Sequence, residues 1–260
     1  YIPVLLILSS LITGLSPKSL NNYYSGIIGT FLVFITLILS VLILFDIYLH
    51  EENFYYDNFY DWISINGLNI GMGYLIDKFS SIMLVVVLSI SSVVHLYSIG
   101  YMKEEKDFKR FFSYIALFTF SMILLVLSNN LIQLFIGWEG VGLVSYLLIG
   151  FFYKKQSAIK ANLKAFLINR IGDMFFILGI AMVYAAFDSF DYKTIFVNLG
   201  TLDVSNLDTY FGLEYLDFAC LFLFFGAMAK SAQIPLHVWL PDSMEGPTPI
   251  SALIHAATMA

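Results

Sequence analysis

Long apolar runs separated by short polar loops dominate the hydropathy pattern of the chain. Six of these runs approach the roughly 20 residues that a helix needs to cross a hydrocarbon layer of ~30 Å. They lack period-2 alternation, so the pattern predicts membrane-spanning helices rather than barrel strands. The predicted spans are residues 26–48, 80–101, 111–127, 131–152, 163–187 and 217–234.

Two further apolar runs lie near the ends of the sequence. Residues 2–15 predict a short first helix, and an eighth span begins near Pro249 and reaches Ala260 within its apolar stretch. The pattern therefore predicts an all-α fold, a polytopic transmembrane helical bundle of about seven full spans and a partial eighth. We assign residues 1–110 to three helices with an acidic outer loop, and residues 111–260 to helices four to eight.

The composition excludes two broad classes of protein. The chain is 59% hydrophobic and 12% charged, whereas soluble domains are about 45–50% apolar and about 25% charged. Its 13 Lys and Arg against 19 Asp and Glu give a net charge of −6, which excludes a nucleic-acid binder because a basic surface is absent. A single cysteine cannot form an internal disulfide, so we expect Cys220, within an apolar run, in the core.

The loop charges predict an orientation in the membrane. If successive loops alternate sides, one side collects most of the lysines, and the positive-inside rule places that side in the cytoplasm or matrix. The long loops at residues 50–77 and 188–214 then face the opposite side. The nine basic residues of the first side are Lys18, Lys103, Lys106, Lys109, Arg110, Lys154, Lys155, Lys160 and Lys164, and the second side has Lys78 and Lys193.

Four ionisable residues, Glu139, Arg170, Asp173 and Lys230, fall inside predicted spans. At ~1.5 Å per residue, Glu139, Asp173 and Lys230 lie about 12, 15 and 20 Å from the start of their spans, close to the membrane midplane. Membrane helices accept such residues when they face the bundle interior or water and have partners. They are therefore the candidate functional residues.

The spacing of these residues suggests two kinds of pair. Arg170 and Asp173 are i, i+3 neighbours that can meet on one helix, either as a structural pair or to tune nearby protonation. Glu139 and Lys230 need partners on other helices. An ion pair between them would hold the lysine protonated, and its separation would favour proton release, so the two form a candidate proton switch. The alternative is a static buried ion pair.

Proline and histidine residues add to this picture. Pro235, five residues after Lys230, is expected to break the seventh span, a feature typical of transporters. His255, about 9 Å into the eighth span, is either a proton relay or a structural residue. Gly137, Gly140 and Gly142 are expected to allow close helix packing. The sequence contains no GxGxxG, P-loop, GxSxG or HExxH motif, which argues against a flavin, nucleotide, nucleophile or zinc site.

Several sequence runs closely resemble the chain 5 family of NADH:ubiquinone oxidoreductase, respiratory complex I. The resemblance extends from about residue 75 to the C-terminus and is most specific from Lys230 onward, whereas residues 1–74 match only in hydropathy. The runs are 91–102 (SSVVHLYSIGYM), 137–142 (GWEGVG), 145–151 (SYLLIGF), 169–173 (NRIGD), 230–249 (KSAQIPLHVWLPDSMEGPTP) and 251–259 (SALIHAATM).

The resemblance implies the first half of an antiporter-like inverted-repeat fold with a broken seventh helix. In this family, residues at the positions of Glu139 and Lys230 form the ion pair that gates a proton half-channel. Asp173 matches an acidic residue near the pair, and His255 matches a polar axis along the membrane midplane. Together with Arg170, these are the residues expected to carry proton translocation.

The resemblance also implies an assembly. FMN, iron–sulfur clusters and ubiquinone would bind elsewhere in the complex, and we expect no cofactor in this chain. Expected partners are other membrane-arm subunits, membrane lipids and, because family members continue into a second repeat, a second polypeptide beside Ala260. The expected location is the mitochondrial inner membrane, with the bacterial plasma membrane as the alternative. Two alternatives are a subunit of a multisubunit Na⁺/H⁺ antiporter and a structural membrane spacer whose buried charges no longer pump.

Overall fold

The computed structural model of the chain describes residues 1–17, 21–49, 54–65, 68–199, 209–210 and 213–254. Its α-helices are α1 (Ile2–Leu15), α2 (Asn22–Leu49), α3 (Lys78–Tyr101), α4 (Phe108–Val126), α5 (Leu131–Ile149), α6 (Gln156–Phe187), α7 (Tyr192–Leu199), α8 (Tyr215–Lys230) and α9 (Thr248–Leu253). Its strands are β1 (Phe54–Ile65), β2 (Leu68–Asp77), β3 (Thr209–Tyr210) and β4 (Leu213–Glu214). Short 3₁₀ helices follow α5 and α8.

The predicted transmembrane helical bundle is confirmed. Five helices, α2 to α6, are long and apolar enough to cross a membrane, whereas α1 and α8 have 14 and 16 residues. The observed bounds differ most at α6, which begins at Gln156 rather than at residue 163. Hydropathy marks only the apolar part of a helix, and α6 extends beyond it through a polar segment that contains Lys160.

Helices α1 to α4, here called the N-terminal group, pack around a buried aromatic core. Phe108, Phe111 and Phe112 are buried within it, and the rings of Phe108 and Phe112 stack with centroids 4.5 Å apart. Hydroxyl side chains in this group bond mainly to carbonyls one turn away, as Ser92 does to Leu88 at 2.7 Å. These bonds satisfy polar groups within a helix, where lipid offers no partner.

Strands β1 and β2 form an antiparallel hairpin between α2 and α3, in a segment for which the sequence predicted only a loop. The hairpin is attached to the start of α5. The Gln133 amide donates to the Gly73 carbonyl at 2.9 Å and accepts from the Gly73 N–H at 3.0 Å, and Asn130 donates to the Gly71 carbonyl at 2.8 Å. A side chain at position 73 would collide with the backbone of Asp57, so glycine is required there.

The hairpin marks one end of the bundle, here called the hairpin end. Helices α3 and α5 begin there and run to the opposite end, from which α4 and α6 return. That opposite end is called the basic end because its connections and neighbouring turns carry most of the described lysines. Its residues include Lys103, Lys106, Lys109, Arg110, Lys154, Lys155 and Lys160.

The predicted break in the seventh span is confirmed, and α8 ends at Lys230 rather than at residue 234. Ala232 adopts the left-handed region with φ 49°, and the Gln233 N–H donates to the Met228 carbonyl at 3.0 Å, as at the end of many helices. The physical reason for the break is Pro235, which lacks an N–H and disfavours helical backbone in the residue before it.

One expectation was wrong and another falls outside the described residues. Cys220 is exposed on the surface of α8 rather than in the core, because an apolar run in a membrane helix faces lipid or other subunits as readily as its own bundle. The eighth span begins as predicted, with Pro249 in the first turn of α9. His255 and Ala260 lie outside the residues that the structure describes.

Candidate functional site

Helices α5, α6 and α8, here called the ion-pair group, bring Glu139, Arg170, Asp173 and Lys230 together. Asn130 caps α5 by accepting from the Gln133 N–H at 2.8 Å, which fixes the start of the helix that carries Glu139. Close contact between α6 and α8 depends on glycine. A Cβ added at Gly172 would lie 2.2 Å from the Cβ of Ala229, so α6 reaches the end of α8 without a side chain between them.

Lys230 is buried, with 5% of its side chain exposed. Its Nζ donates to the Trp138 carbonyl at 2.6 Å and lies 3.9 Å from Oδ1 of Asp173. The Nζ also lies 5.0 Å from the centroid of the Trp138 ring, within the range of a cation–π interaction. Gly142 provides the space for this ammonium, because a Cβ added there would be 2.8 Å from Nζ.

Asp173 is held mainly by the same tryptophan. The Trp138 indole Nε1–H donates to Asp173 Oδ1 at 2.7 Å, and the ring stacks on Phe176 with centroids 4.5 Å apart. Trp138 therefore contacts both the buried acid and the buried base. The sequence interpretation did not include Trp138 among the functional residues, although its position beside Glu139 in a glycine-rich run was a signal.

Glu139 and Arg170 form the second ion pair, with Oε1 and Nη1 2.7 Å apart. Arg170 is 47% exposed and Glu139 26% exposed, so this pair lies at the outer surface of the chain. The expected pairing of Arg170 with Asp173 was wrong, because Arg170 pairs with Glu139, while Asp173 accepts from Trp138 and faces Lys230. The expected Glu139–Lys230 ion pair is not among those that the described residues form.

The four charged groups thus form two adjacent ion pairs that differ in burial. Among the described residues, Asp173 and Lys230 are the buried side chains with formal charge. The carbonyl that accepts from Lys230 belongs to the residue directly before Glu139, so the ammonium lies beside the backbone of the helix that carries this second acid.

A cavity of about 250 Å³ adjoins the two ion pairs on the α5–α6 side, lined in part by Glu139, Arg170 and Asp173. Asn169 also lines it, and its buried Oδ1 has no hydrogen-bond partner among the described residues. Those residues include no group of three or more His, Cys, Asp or Glu that could hold a metal ion.

Comparisons with known proteins place this site in a family context. Residues 128–260 match the family described as NADH:quinone oxidoreductase/Mrp antiporter, TM, and residues 62–112 match the family described as NADH-Ubiquinone oxidoreductase (complex I), chain 5 N-terminus. All four charged residues of the site lie within the first match.

Two curated relatives illustrate the similarity. The chain is 51% identical over 254 residues to NADH-quinone oxidoreductase subunit L of Neisseria meningitidis, which covers 96% of this chain and 38% of that protein. It is 44% identical over 253 residues to NADH-ubiquinone oxidoreductase chain 5 of Arabidopsis thaliana, with 97% and 38% covered. The chain therefore spans somewhat over a third of the length of these relatives.

Solved structures show the same fold at lower identity. One is the Mrp complex from Dietzia, with a TM-score of 0.78, 21% identity and coverage of 99% of this chain and 26% of that chain. Another is the membrane-bound sulfane sulfur reductase, an archaeal respiratory membrane complex, with a TM-score of 0.80, 16% identity and coverage of 98% and 50%.

Proposed function

Because the chain belongs to the family of NADH:quinone oxidoreductase and Mrp antiporter transmembrane subunits, we propose that it is part of a proton-translocating membrane-arm subunit of respiratory complex I. Its named relatives are subunit L and chain 5 of that enzyme. NADH oxidation and quinone reduction would take place on FMN, iron–sulfur and ubiquinone sites in other subunits. This chain would move protons.

One observation carries the proposal: Lys230 is buried at the end of a broken helix with an acid at 3.9 Å and a backbone carbonyl at 2.6 Å. A desolvated ammonium is stable only while partners compensate its charge. Exchange of Lys230 from Asp173 to Glu139, with Arg170 released from Glu139, alters those partners without breaking a covalent bond. Loss of the lysine proton in one arrangement and its recovery in the other would carry a proton across the site.

The exposed ion pair supports the proposed partners. An arginine that is 47% exposed in the middle of a membrane helix needs protein or water beside it rather than hydrocarbon. We therefore propose that another complex I membrane subunit packs against this face of α5 and α6. The chain is a multi-pass membrane subunit, and we propose the mitochondrial inner membrane as its location. The plant relative favours this location, and the bacterial relatives fit a bacterial membrane equally well.

A second candidate function is a subunit of a multisubunit Na⁺/H⁺ antiporter. The observation that favours it is the fold shared with the Mrp complex, together with a family description that includes both assemblies. The two functions differ in driving force, since complex I depends on NADH and an antiporter on a sodium gradient. Proton movement that requires sodium and ignores NADH would support the second candidate.

The test is Lys230→Met in the complete complex, reconstituted in sealed vesicles, with NADH-driven proton uptake measured per NADH oxidised. We expect the ratio to fall at least tenfold, because methionine fills the volume without a titratable group. Lys160→Met at the basic end is the matched control, since this lysine is exposed, and should leave the ratio unchanged. Normal pumping by an assembled Lys230→Met complex would instead support the structural spacer.

A further inference from the structure

The short helix α7 lies at the hairpin end, level with the ends of two membrane spans. The Tyr192 N–H, at its start, donates to the Asn129 carbonyl at 3.2 Å, directly before α5 begins. The Leu131 N–H, in the first turn of α5, donates to the Phe190 carbonyl at 3.0 Å in the turn between α6 and α7. Since α5 and α6 are long and apolar enough to cross a membrane, α7 begins where the hydrocarbon layer meets the headgroup region.

Most of the apolar side chains of α7 share one side of the helix, here called the apolar arc. At ~100° per residue the arc is about 100° wide. It consists of Tyr192, Ile195, Phe196 and Leu199. The remaining four residues are the polar Lys193, Thr194 and Asn198, together with Val197. The helix is therefore amphipathic, with a narrow apolar side and a wider side that is mainly polar.

The two turns of the apolar arc have different surroundings. In the first turn, Tyr192 and Ile195 are partly buried and pack against a cluster of α5 and α6 residues that includes Leu131. In the second turn, Phe196 is 70% exposed and Leu199 is 53% exposed. Side chains of one arc point in one direction, so Phe196 and Leu199 continue the bundle-facing side of α7 beyond the edge of the described bundle.

The opposite side of α7 has polar and aromatic partners in the protein. The Thr194 N–H and the Thr194 hydroxyl both donate to Asp191 Oδ2 at 3.1 Å. The Lys193 ammonium lies 5.5 Å from the centroid of the Tyr56 ring, within the range of a cation–π interaction. A helix with phenylalanine and leucine on one side and lysine on the other is typical of helices that lie in the membrane interface.

We propose that the second turn of α7 lies in the lipid surface at the hairpin end, with Phe196 and Leu199 at the boundary between phospholipid headgroups and acyl chains. The occupant of this exposed surface is bulk bilayer lipid, because α7 begins at the level where two spans leave the hydrocarbon layer and its apolar arc faces the same way as the bundle contact. Through its hydrogen bonds to the start of α5, the helix holds the adjoining ends of α5 and α6 at a fixed depth.

The experiment is photocrosslinking in the assembled complex, reconstituted in vesicles of dioleoylphosphatidylcholine or of diphytanoylphosphatidylcholine. Phe196→Bpa places p-benzoylphenylalanine (Bpa), an aromatic residue of similar shape, on the apolar arc. Lys193→Bpa is the matched control on the polar side of the same helix. After irradiation, the chain is separated on a denaturing gel and the mass of its adduct is measured. The reaction needs no turnover, so its result is independent of the pumping test with Lys230→Met.

We expect Phe196→Bpa to give a lipid adduct whose mass follows the lipid of the vesicles, in at least fivefold higher yield than Lys193→Bpa. Leu199→Bpa should give the same adduct, and it replaces Phe196→Bpa if that variant does not assemble. An adduct with another subunit would show that protein covers this surface, and a lipid adduct of unchanged mass in both vesicles would show a specific lipid site. Either result, or a yield no higher than at position 193, would overturn the inference.

Discussion

The N-terminal group and the ion-pair group bury polar atoms in different ways. In α1 to α4 the buried polar side chains are uncharged hydroxyls and His95, and many bond to a carbonyl of the same helix, as Ser98 does to Val94. In α5, α6 and α8 the charged side chains have their partners on different helices, as Lys230 and Trp138 do, whereas the bonds between helices of the N-terminal group, such as that of Ser91 with Thr119, join uncharged groups. A bond within one helix persists as long as the helix does, whereas a bond between helices can exchange.

The N-terminal group packs around buried aromatic rings such as those of Phe108 and Phe112. The ion-pair group places two acids and two bases where more than one pairing is possible.

The largest expected effect is on stability, from Phe112→Ala in the N-terminal group. Phe112 is fully buried, and removal of a buried ring creates a cavity that costs about 3–5 kcal/mol. The temperature at which the complex disassembles on native gels should fall by several degrees, with no such fall for Phe31→Ala, which is 63% exposed. The number of protons pumped per NADH by complexes that assemble should stay normal. A lowered ratio would contradict the view that the N-terminal group takes no part in pumping.

The next effect is on pumping, from Asp173→Asn in the ion-pair group. Asparagine can still accept from the Trp138 indole, so the site should remain folded while the charge that faces Lys230 is lost. We expect at least a tenfold fall in protons pumped per NADH. Asp242→Asn is the matched control, because Asp242 pairs with Lys164 at 2.7 Å where both side chains are 43% exposed, and exposed pairs contribute little. Equal effects of the two substitutions would contradict a special role for Asp173.

A smaller effect is expected from Gly142→Ala. The added Cβ would lie 2.8 Å from Lys230 Nζ and must displace the ammonium. We expect a three- to tenfold fall in pumping, which corresponds to about 0.6–1.4 kcal/mol. Gly100→Ala controls for the change of residue type, since nothing lies within 4 Å of a Cβ at that position. Proton pumping by both variants is measured in vesicles. An equal fall in the two would contradict the view that the position of the Lys230 ammonium determines pumping.

The smallest effect concerns the hairpin, through Tyr56→Phe. The Tyr56 hydroxyl donates to Asp191 Oδ1 at 2.6 Å, and a bond of this kind contributes about 1 kcal/mol. Burial, followed by the bond and the charge of Asp191, raises the pKa of Tyr56 to about 12. The protonated hydroxyl is the donor, so its contribution is complete below pH ~10 and is lost as the pH rises through about 12.

Hydrogen exchange of residues 54–77 in the complex measures this contribution. The variant should exchange about fivefold faster than the unsubstituted chain after correction for intrinsic rates, and the difference should be constant from pH 7 to 10. A difference that is already lost when the pH has been raised to 9 would show that the hydroxyl ionises earlier and that the Asp191 contact does not hold the hairpin.

The sequence predicted the membrane helices well because the physical signal for them is strong. About twenty mainly apolar residues do not form a soluble loop, so α2 to α6 were located with bounds that differ by a few residues, apart from the start of α6 at Gln156 rather than at residue 163. The hairpin was missed because its residues, such as Tyr55 and Asp57, mix aromatic and acidic side chains within a long polar segment. Its attachment to Gln133 joins positions 60 residues apart, which local pattern cannot show.

The structure brings together four of the five residues predicted for the site, although in other pairs, and the fifth, His255, lies outside the described residues. The depth of Glu139 and Lys230 follows from position along a span, and therefore the sequence indicated that the charges meet. The partner of each charge depends on how far each helix is rotated about its axis, and a single sequence does not contain that rotation. Arg170 and Asp173 illustrate the point, since i, i+3 spacing permits a contact and α6 directs the two side chains to different neighbours.

The hydrogen bond from Lys230 to the Trp138 carbonyl has one further consequence. A backbone carbonyl has no proton to gain or lose, so it remains an acceptor whatever the protonation of Glu139 or Asp173. The lysine therefore has one acceptor that is constant, at 2.6 Å, while it lies 3.9 Å from Asp173. Under the proposed function, this carbonyl would hold the ammonium in the interior while its acidic partner changes.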